Sequence, residues 1–154
     1  MGSKFLIKYI FYIVILFGVF YLDFSPIANL INSFQIDLIS NFLSLFLDNI
    51  DGRDIIISSH YKLVIERDCN GLMVYYIFLA TILASNVEWR YKILWVFIGY
   101  VVISAVNIFR IFIITNLVLE SRSNFHLAHD IFGNILLFIT AISLFLIFIK
   151  LVRE

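Results

Sequence analysis

Charge is what this chain most lacks: only 14% of its 154 residues are Asp, Glu, Lys or Arg, against 62% that are hydrophobic. A soluble domain needs roughly 25% charged residues to cover its surface, so the composition excludes a water-soluble fold. Formal net charge is zero, which removes any sign of nucleic-acid binding. A single cysteine excludes an internal disulfide and leaves Cys69 a free thiol. One proline and six glycines leave no room for a flexible linker, and neither an internal repeat nor a low-complexity tract is present. The length suits one domain, residues 1–154, without a separate soluble module. The start does not read as a cleaved leader, because its apolar stretch runs long and Asp23-Phe24-Ser25 is a poor cleavage site. Gly2 does not make a myristoylation signal, since position 6 is Leu6.

What is present is long apolar sequence. Crossing a bilayer takes about 20 residues, and four segments approach or exceed that: Phe5–Leu22, Gly71–Ser85, Ile93–Leu119 and Ile131–Val152. With flanking residues the spans are expected at about 5–22, 69–88, 93–119 and 130–152, the short second one borrowing Cys69 and Asn70 above and Asn86–Glu88 below. Lys8 sits near enough to the start of the first to snorkel. The third exceeds a vertical crossing and must tilt or emerge.

The segment 23–68 differs. From Pro26 to Leu47 apolar residues recur at helical spacing (Ile27, Leu30, Ile31, Phe34, Leu38, Phe42), with Asn29, Asn32, Ser33, Asp37, Ser40 and Asn41 opposite. That predicts an amphipathic helix lying in the interface or packed over the bundle; Asp37 near its centre argues against a fifth span. Ile55-Ile56-Ile57 and Leu63-Val64-Ile65, separated by Ser58–Lys62, predict a short β-hairpin outside the bilayer. The fold class expected is an all-α membrane protein of about four spans, with that helix and hairpin.

Basic residues set the orientation. One side collects Lys4, Lys8, Arg90, Lys92, Lys150 and Arg153 against two acids, and the other holds five basic residues against nine. Basic short loops stay cytoplasmic, so both termini are expected inside a plasma (inner) membrane and 23–68 outside. At ~1.5 Å per residue, Arg110 lies ~27 Å beyond Lys92, Cys69 ~28 Å before Glu88 and His129 ~31 Å before Lys150. All three therefore fall at the outer interface of different helices.

Their chemistry suits one site. Cys69, at or just before a helix N-terminus, is expected to gain thiolate character from the dipole; an inert buried thiol is the bland alternative. A histidine can take the thiol proton and return it to a leaving amine. Arg110 can face a developing oxyanion, or else snorkel to headgroups. Ser104, Asn107 and Arg110 form one drifting polar stripe, which favours an inward Arg110. Among the histidines, His129 starts the fourth span, with Gly133 one turn on leaving room for a neighbouring backbone; His126 lies deeper in the loop and His60 in the hairpin. A metal reading would join His126, His129, Cys69 and Asp130, and no second cysteine backs it. Tyr75, Tyr76 and Trp95 read as packing or lipid-facing residues. No cofactor or metal is expected. A non-enzymatic reading, a small transporter or assembly subunit with Arg110 on a polar path, would let Cys69 be replaced freely.

Glu66-Arg67-Asp68-Cys69-Asn70-Gly71-Leu72 resembles the cysteine box of the exosortase/archaeosortase family. Asn107-Ile108-Phe109-Arg110 is similar to its Asn-x-x-Arg box, and His129-Asp130-Ile131-Phe132-Gly133 to its His-x-x-x-Gly box, in the family's order. The form looks most like short members from Bacteroidetes-type bacteria, with about four spans instead of eight or so. The resemblance implies a membrane cysteine protease or transpeptidase acting on exported proteins. Such substrates carry a C-terminal signal of short motif, transmembrane helix and basic cluster, and the cut end passes through a Cys thioester to a cell-envelope acceptor, lipid or glycan. It implies Cys69 as nucleophile, His129 as base and acid, and Arg110 as oxyanion or positioning group, with Asn107, Asn70, Gly71 and Gly133 in support.

Overall fold

A computed structural model describes residues 3–22, 25–125, 129 and 133–153, without the side chains of Asn124, Val152 and Arg153. Along the chain come α1 (Ser3–Phe20), α2 (Pro26–Leu43), β1 (Ile50–Asp51), β2 (Asp54–Ser58), β3 (Tyr61–Val64), a 3-10 turn (Arg67–Cys69), α3 (Leu72–Ala84), α4 (Trp89–Glu120), a second 3-10 turn (Arg122–Asn124) and α5 (Asn134–Arg153). Among the described residues three helices, α1, α4 and α5, are long and apolar enough to cross a membrane. The protein is an all-α membrane protein with a small antiparallel sheet.

The second expected span is shorter than foreseen. α3 has 13 residues, about 20 Å of rise against a ~30 Å hydrocarbon core. Cys69 and Asn70 do not extend it, because Gly71 enters the left-handed region at φ 76° and the chain before it is a 3-10 turn. Below, Ser85 turns extended and its hydroxyl donates to the Ile82 carbonyl, so Asn86–Glu88 do not lengthen it either. α4, with 32 residues, rises about 48 Å and so must tilt or project, as expected. The α-helical part of α5 runs from Asn134, with Gly133 and His129 in wider helical turns ahead of it.

α2 starts where Ser25 accepts from the Ala28 amide, with Pro26 in the first turn. It packs against α1 and α4, but with its faces reversed from the rule for water. Ala28, Asn32, Gln35, Ile36, Ile39, Ser40 and Leu43 are buried, whereas Leu30 is 72% and Phe34 63% exposed. In a membrane protein the outer surface is the apolar one, since hydrocarbon offers no partner to a polar group. The polar residues inside are paired: Tyr100 donates to Gln35 Oε1 (2.6 Å), Gln35 Nε2 donates to Ser104 Oγ (3.2 Å), and Asn70 Nδ2 donates to Asn32 Oδ1 (2.7 Å).

The sheet has three strands in the order β1-β2-β3, one more than the hairpin expected. β2 pairs β3 with Ile55 opposite Leu63, and β1 adds only Ile50 and Asp51 on the far edge. Ile55 and Ile65 sink into a core built by Ile36, Ile39, Leu43 and Leu47 near α2 and by Ile111 of α4. A second core joins α3, α4 and α5 through Phe78, Ile82, Trp95, Ile103, Leu144 and Phe148. Tyr76 OH donates to the Phe20 carbonyl, while Lys8 donates to Asn86 Oδ1, so α1 and α3 run antiparallel. Lys8, Asn86 and Lys92 thus mark one end of the bundle, and the sheet caps the other.

Candidate active site

The cysteine is presented by a turn that is tied down on both sides. The Cys69 amide donates to the Glu66 carbonyl and the Asn70 amide to that of Arg67, closing the 3-10 turn. Upstream, Arg67 lies over the Tyr21 ring at 5.2 Å, and Tyr21 OH donates to Asp68 Oδ1 at 3.1 Å. The acidic lead is thereby clamped to the end of α1. Downstream, buried Asn70 accepts from the Leu72 amide (2.9 Å) and holds Asn32 with its other end. Gly71 makes the sharp entry into α3. An added Cβ would come within 3.0 Å of the Asn107 side chain, at a φ that L-residues rarely adopt.

Asn107, fully buried on α4, links two of the predicted residues. Its Nδ2 donates to the Cys69 carbonyl at 2.8 Å, and its Oδ1 accepts from Arg110 Nη1 at 3.3 Å. Arg110 is 2% exposed, so it faces inward and does not snorkel. Its Nη2 donates to Asn134 Oδ1 at 3.4 Å, and its Nε has no hydrogen-bond partner among the described residues. Gly133 makes room for the Arg110 side chain, where the sequence suggested a neighbouring backbone: an added Cβ would overlap Nε.

His129 reaches the same place from the segment before α5. Its Nε2 lies 3.8 Å from Cys69 Sγ, and Phe125 stacks on the ring at 5.3 Å. Cys69, Arg110 and His129 line one cleft of about 290 Å³ between the sheet and α4. His60 is exposed in the β2–β3 turn and does not line it. His126 and Asp130, on which the metal alternative turns, lie outside the described residues.

Burial works against the expected thiolate character. Cys69 stands three residues ahead of α3, not on its first turn, and burial raises its pKa above the ordinary 9.0, although the Arg110 charge pulls it down. Burial thus favours the neutral thiol, whose reaction calls for a base, and His129 Nε2 is within reach. For that role Nε2 must be the unprotonated nitrogen, with the proton on Nδ1.

Sequence reasoning did not find Gln35, Tyr100, Asn134 or Thr115. Asn32 and Gln35, three apart, were legible as one helical face. Thr115, fully buried on α4 and lining the cleft, has no partner for its hydroxyl among the described residues.

A membrane-embedded helical bundle that joins a thiol, an imidazole and a buried guanidinium under a small sheet defines a class of membrane protein built around a cysteine. A sequence profile of transmembrane exosortases matches residues 1–148. The chain belongs to that exosortase family. No curated protein and no solved structure matches it.

Proposed function

We propose that this exosortase-family protein is a cysteine transpeptidase or protease that cuts C-terminal sorting signals of exported, membrane-anchored proteins. The observation that carries this reading is the 3.8 Å approach of Cys69 Sγ to His129 Nε2 in a cleft shared with Arg110. His129 takes the thiol proton as sulfur attacks the scissile carbonyl, and the carbonyl electrons move onto oxygen. Arg110, held by Asn107 and Asn134, supplies positive charge beside that oxyanion. The tetrahedral adduct collapses, the amide C–N bond breaks, and the imidazolium returns the proton to the leaving amine. A thioester on Cys69 remains. An amine or hydroxyl of an envelope acceptor, lipid or glycan, then takes the acyl group; attack by water would make the same centre a protease.

Asn107, Asn70, Gly71 and Gly133 are positioning residues. Asn107 fixes the Cys69 carbonyl, Asn70 and Gly71 shape the turn, and Gly133 admits the guanidinium. The whole chain, 1–154, is one membrane domain with 23–68 and the site on the outer face of the plasma membrane and both termini inside, as the basic residues indicate. The substrate's own helix lies beside the bundle, so confinement to the bilayer orients the scissile bond before catalytic contact.

Co-expression with an exported protein of the same cell ending in motif, apolar helix and basic cluster tests this. Cys69→Ala and Cys69→Ser should both leave it uncut, with the variant still inserted at normal level. Processing that survives Cys69→Ala would remove the enzymatic reading.

A further inference from the structure

The cleft at Cys69 runs along one strand in an unusual way. A cavity against a strand's face touches alternate residues, because successive side chains point to opposite faces. This one touches Tyr61 through Glu66 consecutively, and only Ile55 of β2. It therefore lies against the edge of β3. Among the described residues that edge is open: the strand order is β1-β2-β3, so β3 has a strand partner on one side only.

The register says which amides are free. Ile65 N donates to the Arg53 carbonyl, so Ile65, and by alternation Leu63, turn their backbone groups toward β2. Ile56 N donates to the Asn49 carbonyl on the opposite side, which agrees with that alternation. Lys62 and Val64 therefore point their N–H and C=O groups away from the sheet. No hydrogen bond to these outward groups is formed among the described residues. Two residues on, Glu66 begins the turn that carries Cys69. Across the cleft stand Ile111, Ile114 and the Thr115 hydroxyl, which has no partner among the described residues, with Arg110 at the Cys69 end.

An unpaired strand edge, an apolar wall opposite and a nucleophile at one end together fit one kind of occupant. We propose that the β3 edge, through the backbone of Lys62 and Val64, binds the substrate polypeptide as an added extended strand and feeds its scissile carbonyl to Cys69. This rests on the cysteine-enzyme reading and names how that site takes its substrate. Main-chain pairing supplies register and affinity, while apolar side chains of the bound strand meet Ile111 and Ile114 and a polar group meets Thr115 Oγ1. The segment recognised is then an extended stretch of the exported protein just ahead of its cut, not the membrane helix itself.

The test needs no natural substrate. Purified full-length protein is treated with acetyl-oligoalanine chloromethyl ketones of one to four residues, and Cys69 alkylation is followed by intact-mass spectrometry beside iodoacetamide. The expected rate constant rises at least ~10-fold from one residue to four and falls back ~10-fold when alternate probe amides are N-methylated; methylating the intervening amides does little. Val64→Pro deletes an outward N–H that the ladder does not use. It should abolish the length dependence and leave iodoacetamide alkylation unchanged. Should that variant not fold, the N-methyl series on the unaltered protein decides alone. Rates indifferent to length and to N-methylation, with Cys69 still alkylated by iodoacetamide, would overturn strand addition while leaving the cysteine chemistry standing. Failure of the enzymatic reading shows separately, as cellular processing that survives loss of Cys69.

Discussion

Cys69 is half-buried, and its titration follows from what surrounds it. Desolvation raises the thiol's pKa, and Arg110 opposes that rise. Only the thiolate is alkylated, so a raised pKa means slow reaction at pH 7 and a rate still climbing above pH 9. Replacing Arg110 by Gln removes the favourable charge and should move the iodoacetamide pH profile further to the alkaline side. A plateau below pH 8 would contradict this and indicate a preformed thiolate–imidazolium pair. Gly71 offers a second residue-scale test. Ala there costs about 1–2 kcal/mol for the left-handed backbone and pushes on Asn107, which holds the Cys69 carbonyl. Gly71→Ala should lower the thermal midpoint in detergent and depress processing, whereas an unchanged midpoint would show that the turn relaxes freely. The three residues that meet in the cleft, Cys69, Arg110 and His129, were legible in the sequence because each stands in a short local pattern near the end of an apolar run. The resting charge of the thiol was not, since it depends on burial between the sheet and α4.

At the scale of elements, α2 is bound to the bundle by polar groups that lipid cannot satisfy. Gln35 joins Tyr100 and Ser104, and Asn32 joins Asn70. Gln35→Leu would remove the acceptor of Tyr100 and the donor to Ser104 and should destabilise the protein by about 1–3 kcal/mol, read as a lower unfolding midpoint in detergent. The Asp37–Arg53 bridge is a fair contrast. Both side chains are about half exposed, so Asp37→Asn should cost less than about 1 kcal/mol. Equal losses from the two variants would mean that the interior network has no special weight. Helix lengths and apolar stretches are local properties, and the sequence reading placed α1, α4 and most of α5 within a few residues. It erred on α3, whose ends depend on the backbone at Gly71 and Ser85. It left α2's orientation open, because periodicity gives the two faces without saying which one meets the lipid. β1 is two residues long and carries no periodic signal.

The whole molecule puts Lys8 and Asn86 together at one end and the cysteine cleft at the other. With one cysteine in the chain, the native protein is its own reporter of sidedness. A membrane-impermeant methanethiosulfonate applied to intact spheroplasts at pH 8.5 should label Cys69. Labelling that requires permeabilised membranes would invert the proposed topology. The most direct test of the central chemistry is the covalent intermediate. When the protein is co-expressed with an epitope-tagged exported protein bearing a sorting helix and quenched in acid, the expected product is a covalent adduct of the two that hydroxylamine releases and Cys69→Ser abolishes as a thioester. A tagged substrate that is processed at the full rate with no adduct, and equally well without the Cys69 thiol, would contradict the claim that this cysteine carries the acyl group.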